Sequence, residues 1–366
     1  MIITRTPFRV TLGGGGTDLP SYYSKHGGFI FAMGIDKYMY IMANPPLVDD
    51  KIRLHYSMSE TVEHVLQLKH ELAREALRFH GIECKMEISS MADLPAGTGV
   101  GSSSVYLVGL LAALHQYRRD YVPLQILAEE ACHIELDVLK KGIGKQDQYM
   151  AAFGGLTVLE IAPGGEVSVR AIRPPGGAIG AFLGHTHIYY TGQVRNAEAV
   201  LADQNQAMHG SAPNRETVES SLCFIKDLGY RILEAVESEN FDDWGQLLHE
   251  HWVHKKRMST RISCSWVDQL YDEVRQRFGV LGGKLIGAGG GGFLMLYCPR
   301  ESRRLEDFME SRNLPRLYYD LEPEGTKVVA NLASPRLSSV PPTRRDRVPS
   351  IGLMSDRSAE AVVSSQ

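Results

Sequence analysis

Residues 95–104 read PAGTGVGSSS, with three glycines and three serines set between a strand-like apolar run and a helix-like apolar run. So much glycine does not belong inside either element, because each one costs a helix or strand about 0.5–1 kcal/mol relative to alanine. It does suit a loop whose backbone N–H groups approach a ligand closely, with a helix start just beyond that offers partial positive charge to an anion. A serine-capped turn would use the same letters, so the choice between the two rests on the rest of the chain.

Two further stretches carry the same signature, GGGGTD at 13–18 and GGKLIGAGGGGF at 282–293. Three such segments in one chain point to repeated close approach to a ligand. A Walker A loop would need GxxxxGK[ST], and 95–104 has no lysine. Gly97, Gly99 and Gly101 give GxGxG, not the GxGxxG of a dinucleotide fold, and no acidic residue ends a second parallel strand at the required distance. A cradle of backbone amides for phosphate remains. A triphosphate held there calls for Mg2+, which takes few protein oxygens beside phosphate and water. Ser103 and Ser104 lie at the loop, and AEEACHIELD supplies Glu129, Glu130, Glu135 and Asp137. Asp147, in GIGKQDQYMAAFGG, either caps a helix or orients an attacking hydroxyl. Arg9, in TPFRVTL, is either an outward residue of an edge strand or a cation for a transferring phosphoryl group.

Lys and Arg number 39 against 43 Asp and Glu, a net charge of -4, and no basic face is concentrated enough for nucleic acid. The five cysteines form no CxxC pair and read as reduced, buried thiols of a cytoplasmic protein. The opening MIITRTPFRVTL lacks the pattern of a secretion signal, and no apolar run is long enough to span a membrane. From about Ser334 the chain is rich in Ser, Pro and Arg without apolar periodicity, so a disordered tail is expected over 334–366.

Strand-like runs lie at 2–12, 29–43, 51–56 and 84–91, with a helical pattern in ETVEHVLQLKHELAREALRFHG. SVYLVGLLAALHQY and PLQILAEEACHIELDVLK predict two helices, and GGLTVLEIA and EVSVRAI predict paired strands. The Pro/Gly-rich RPPGGAIGA marks a boundary near 174–181. Beyond it, helices are expected near 195–208, 213–237, 242–257 and 265–277, with strands at 284–298 and 316–330 forming a second α+β layer structure.

In order, TPFRVTLGGGGTD, PAGTGVGSSS and KLIGAGGGGF resemble the three motifs of the GHMP kinases, the superfamily of galactokinase, homoserine kinase, mevalonate kinase and phosphomevalonate kinase. The likeness spans roughly residues 1–330. It implies an α+β, two-domain fold. Residues 1–180 would be an ATP-binding domain like the second domain of a small-subunit ribosomal protein, and 181–333 a ferredoxin-like domain, with the site between them. By position, Pro95, Gly97, Gly99, Gly101, Ser102, Ser103 and Ser104 match the loop around the ATP phosphates. Ser103 and Glu135 match the Mg2+ pair, with Ser104 as the fallback. Asp147 and Arg9 match the catalytic pair, and Gln146 precedes Asp147 where galactokinases usually show Met. Gly15, Gly16, Thr17, Asp18, Gly289, Gly290 and Gly291 match sugar-side positions.

Galactokinases carry Gly-Glu-His where this chain has Gly14, Gly15 and Gly16, which argues against galactose. LGGGGTDLPSYY, YYTGQVRNAEAVLADQ and LLHEHWVHKKRMSTRIS look most like the branch that phosphorylates C1 of D-glycero-D-manno-heptose 7-phosphate for GDP-heptose synthesis. They look less like the fucose kinases. A phosphorylated sugar needs its own cations, and Arg195, Lys255 and Lys256 are the candidates. The implied partners are small molecules, ATP and a sugar phosphate, with no nucleic acid or membrane and a homodimer as the candidate assembly. An L-fucose kinase and a catalytically silent sugar or nucleotide sensor are the competing readings.

Overall fold

A computed structural model describes residues 1–173, 177–193, 197–208 and 214–332; the expected disordered tail and Arg195 lie outside these residues. The chain starts with β1 (Ile2–Gly13) and returns through α1 (Pro20–His26) into the 17-residue β2 (Gly28–Asn44), which pairs antiparallel with it. Along β1, buried and half-buried residues alternate as far as Arg5, and from Thr6 onward every residue is buried. The change coincides with a register slip after Pro7, which has no N–H to give to a ladder. Arg9 follows directly and points inward.

β3 (Ile52–His55) and β4 (Ser59–Val62) form a small hairpin, and β3 runs parallel to β5 (Met86–Ala92). The far half of β2 pairs with β5 and the near half with β6 (Leu156–Ile161), which hairpins to β7 (Val167–Ile172). The helix expected across 60–81 forms only as α2 (Glu71–Phe79). Glu60 explains the difference. Its carboxylate accepts the backbone N–H groups of Lys69 and His70 at 2.6 and 3.1 Å, holding the segment in a turn behind β4. α3 (Ser102–Arg118), apolar on all sides, packs against β1 and β2. α4 (Leu124–Cys132) runs into a wide π-helical turn at His133–Val138, and α5 (Gln146–Phe153) precedes β6.

After α6 (Ala178–His185), a second sheet forms from β8 (Thr186–Tyr190), β9 (Gly282–Leu285), β10 (Phe293–Tyr297) and β11 (Arg316–Leu317). Its order is β11-β8-β10-β9, all antiparallel, which in chain order is the 4-1-3-2 arrangement of a ferredoxin-like sheet. Between β8 and β9 come α7 (Ala197–Met208), α8 (Arg215–Glu237), α9 (Phe241–Lys256) and α10 (Ser265–Phe278); α11 (Ser302–Ser311) precedes β11. Ile188 and Met295 on one face join the core of the first sheet, and Tyr189 and Leu294 on the other join a second core with α8 and α10. A sheet buried on both faces reads as a continuous apolar run, which is why FLMLYC carries no alternation.

The last strand, β12 (Lys327–Asn331), corrects the expectation that 316–330 belongs wholly to this second layer, because it pairs with β1 in the first sheet. The cysteines are all free, but Cys84 is exposed and Cys223 and Cys264 are only half-buried, contrary to the reading of buried thiols. Cys84 precedes β5, outside the ladder that would have covered it. No helix among the described residues is long and apolar enough to cross a membrane.

Candidate active site

Gly97, Gly99 and Gly101 adopt φ of 76°, 84° and 85°, a left-handed backbone that a side chain would strain. The turn they make delivers the chain into α3, whose N-terminus has Gly101 as its cap residue and no side chain bonded to its free amides. Those donors face a cavity of about 860 Å3, whose wall includes Pro95, Gly97, Gly99, Gly101, Ser102 and Ser103. The third glycine segment packs on this loop. A Cβ on Gly99 would lie 2.5 Å from the Ile286 carbonyl oxygen, and one on Gly287 would lie 2.3 Å from that of Gly99.

Arg9 and Asp147 meet beside the loop. The Arg9 guanidinium donates to Asp147 Oδ1 from Nε at 2.7 Å, and its Nη1 donates to the Gly99 carbonyl at 2.7 Å. The Arg9 side chain is 4% exposed and that of Asp147 25%, so of the two, which both line the cavity, the carboxylate is the more open. Gln146 locks the arrangement. Its side-chain carbonyl accepts from Thr11 Oγ1 at 2.8 Å, its amide donates to Asp147 Oδ1 at 3.0 Å, and its backbone N–H donates to Asp18 Oδ2 at 3.1 Å. Asp18 is buried, and burial followed by the like charge of Asp147 pushes its carboxyl above the ordinary range. Asp18, Gly15 and Gly16 line the cavity as expected. Thr17 does not. Its hydroxyl donates to the Gly14 and Phe29 carbonyls and accepts from the Phe29 N–H, so it ties the glycine turn to β2.

The expected metal pair, Ser103 and Glu135, is not in direct contact. Ser104 donates to Glu135 Oε2 at 2.6 Å, as does the Gln148 side-chain amide at 2.6 Å, while Ser103 is exposed on the cavity wall. Adjacent positions on a helix diverge by about 100°, so only one of these serines can face Glu135. Burial raises the Glu135 carboxyl above its usual range. Three buried oxygens, Ser102 Oγ, Glu135 Oε1 and Gln148 Oε1, are left without partners on the elements meeting at the start of α3. Orphaned oxygen acceptors are the chemistry that Mg2+ takes, so these residues fit the ion. No cluster of three His, Cys, Asp or Glu among the described residues is set to hold a metal, and Mg2+ bound through phosphate and water needs none.

Of the three proposed cations, Lys255 lines the cavity, and Lys256 does not. Lys256 donates to Asp268 at 2.8 Å and lies over the Trp252 ring, turned to the other side of α9. Lys284 was not singled out from the sequence, yet it is buried on β9, faces the cavity and reaches the Leu12 carbonyl at 3.5 Å. A lysine among Gly283, Leu285 and Ile286 in an otherwise apolar strand was the available signal. Gly289, Gly290 and Gly291 do not line the cavity. Gly290 donates its N–H to the Ile262 carbonyl at 2.8 Å, and a Cβ on Gly289 or Gly291 would meet the carbonyls of Ile262 or Gln193, so these glycines admit neighbouring backbone. At the other end of the cavity, beyond Pro95, Tyr56, His70 and Tyr106 form an aromatic row with ring centroids 4.7 and 4.8 Å apart.

Residues 61–155 match the GHMP kinases N terminal domain family and residues 232–315 the GHMP kinases C terminal family. The chain is 27% identical over 309 residues to the D-glycero-alpha-D-manno-heptose 7-phosphate kinase of Campylobacter jejuni, covering 81% of this chain and 89% of that protein. It is 25% identical to the L-fucokinase/L-fucose-1-P guanylyltransferase of Bacteroides fragilis, over 85% of this chain and 36% of that one. Among solved structures, a D-glycero-D-manno-heptose 1-phosphate kinase from Bacteroides thetaiotaomicron superposes with a TM-score of 0.72 at 21% identity, over 91% of this chain and all of the other.

Proposed function

The chain belongs to the GHMP kinases and is an ATP-dependent sugar kinase, and from that premise we propose that it phosphorylates the C1 hydroxyl of D-glycero-D-manno-heptose 7-phosphate. The product would be the 1,7-bisphosphate, on the route to GDP-heptose. What supports the choice of sugar is the 27% identity to the Campylobacter jejuni heptose 7-phosphate kinase over 89% of that protein. What supports phosphoryl transfer is the Arg9–Asp147 pair at the lip of an uncapped helix start.

In this reading the amides at the start of α3 and the turn through Gly97, Gly99 and Gly101 hold the ATP phosphates. Asp147 accepts the hydrogen bond of the sugar C1 hydroxyl, aligns its oxygen with the γ-phosphorus and takes its proton as the bond forms. Arg9 keeps Asp147 in one rotamer and places positive charge beside the oxygens of the moving group. Asp18, with Gly15 and Gly16, binds the sugar hydroxyls. Ser103, on the cavity wall, and Glu135, with Oε1 unpartnered, would hold Mg2+, which when bound neutralises charge on the phosphates.

A coupled assay with ATP, Mg2+ and a panel of sugars tests this reading. Turnover of the heptose 7-phosphate well above L-fucose and galactose supports it. Preference for L-fucose transfers the assignment to the fucose kinases, whose Bacteroides fragilis member is nearly as similar in sequence. Nucleotide binding with no turnover of any sugar would indicate a sensor.

A further inference from the structure

Lys255 lies in the last turn of α9, and α9 lies directly on β9. A Cβ on Gly282 would fall 1.9 Å from the Gly245 carbonyl, so the two backbones are in contact. That approach turns Lys255 toward the loop after β9, where its ammonium donates to the carbonyls of Gly287 and, at 3.4 Å, Leu285. Gly287 packs on Gly99, and Gly99 accepts from Arg9, so contacts run unbroken from Lys255 through the phosphate loop to the Arg9–Asp147 pair. An ammonium has three donors, and two are used on carbonyls. The residue is 6% exposed, and what surface it keeps is on the cavity wall.

Among the described residues neither Lys255 nor Lys284 has a carboxylate for a partner, and the charges that act on Lys255 and Lys284 include Arg9. His251, one turn before Lys255, is buried with both ring nitrogens unpartnered, and burial keeps it neutral. Two buried lysines on one cavity wall, neither paired with a carboxylate, are costly to charge in the empty protein. An anion delivered to the cavity beside this glycine contact would offset that cost. The sequence reading placed Lys255 at the phosphate the sugar already carries, whereas its contacts place it at the loop that holds the nucleotide.

We propose that Lys255 is a catalytic residue that contacts the γ-phosphoryl group of bound ATP and carries part of its charge during transfer, with Lys284 as its neighbour on the cavity wall. The acceptor oxygen bonds to the γ-phosphorus as the bond from that phosphorus to the β–γ bridging oxygen breaks. The bridging electron pair leaves with ADP, and the hydroxyl proton goes to Asp147. The second sheet's half of the chain thereby supplies a cation in cis to a loop built by the first. This inference rests on the kinase assignment, not on the identity of the sugar.

Calorimetric titration of Lys255→Met and Lys255→Arg with ADP and with a non-hydrolysable ATP analogue tests it. Methionine has similar length and no charge to bury, so the variant should fold, and ADP binding within twofold of wild type checks that it has. The expected result is a tenfold or greater loss of affinity for the analogue alone in Lys255→Met, a fall in kcat of about 10²–10³, and partial recovery in Lys255→Arg. Equal weakening of both nucleotides would overturn the proposal in favour of a structural role. Unchanged nucleotide binding with a raised KM for the sugar phosphate would overturn it in favour of an acceptor-phosphate site. Should the heptose prove to be the wrong sugar, the split between ADP and the analogue would still be read.

Discussion

The Cα of Gly101 lies against the carboxylate of Asp147, so close that a Cβ on Gly101 would stand 2.9 Å from Asp147 Cγ. The last glycine of the phosphate loop thus sets how near the nucleotide comes to the group that handles the acceptor. Gly101→Ala must both tolerate a φ of 85° and displace Asp147. It should cost about 1–2 kcal/mol of stability through backbone strain and contact. Since a displacement of about 1 Å can cost about 10²-fold in rate, kcat should fall by that order. Steady-state kinetics beside thermal unfolding would check both, and normal turnover would show that the contact does not bear on the reaction.

Asp147→Asn keeps the shape of the side chain and loses its negative charge. Arg9 keeps a carbonyl oxygen to bond, so the loop should hold and ATP affinity by calorimetry should stay within a few-fold. With no group left to take the acceptor proton, kcat should fall by roughly 10²–10⁴. A variant that turns over at the wild-type rate would remove Asp147 from the reaction.

The three glycine segments were legible in the sequence because their cost to regular structure is visible in composition; Arg9 and Asp18 were legible because they adjoin the first of them, and Asp147 because it sits between glutamines in a stretch flanked by glycines. What the letters lack is the direction of a side chain. Ser103 and Ser104 are interchangeable as letters but diverge on α3, and only Ser104 meets Glu135. Lys255 and Lys256 are likewise adjacent, and α9 turns one to the cavity and the other to Asp268. Long-range pairing was equally hidden, since nothing local in KVVAN says that β12 rejoins β1. The first half of the helix expected over 60–81 lost to the pairing of β4 with β3 and to the Glu60 carboxylate that captures two backbone amides.

Asp18 offers a trade of activity for stability. Its carboxyl is buried near Asp147 and held above the ordinary range, so the folded chain binds its proton more tightly than the unfolded chain does. Stability is therefore greatest below the unfolded value of 3.8 and is lost as pH rises through the folded value; above it the full cost is present. Asp18→Asn removes that cost and keeps an oxygen for the Gln146 N–H. It should gain roughly 0.5–2 kcal/mol at neutral pH, less in acid, while raising KM for the sugar. A lowered Tm at pH 7 would refute this account of Asp18.

Burial, and then the charge of Arg9, lowers the Lys255 ammonium to about 7 from 10.5, and this sets a pH dependence of both activity and stability. Between those values the unfolded chain carries a proton that the folded chain has shed, so the Lys255 contribution to stability rises with pH across that window. Activity runs the other way. If the charged form meets the γ-phosphoryl group, kcat/KM for ATP, which reports the free enzyme, should fall about tenfold per unit above roughly pH 7. Arg9, Asp18, Lys141, Asp147 and Lys284 are the other charged groups on the wall of the cavity that this lysine lines. Because a guanidinium stays charged throughout this range, Lys255→Arg should hold its kcat/KM level to higher pH, even from a lower starting value. A limb that falls at the same pH in wild type and Lys255→Arg would assign the titration to another group.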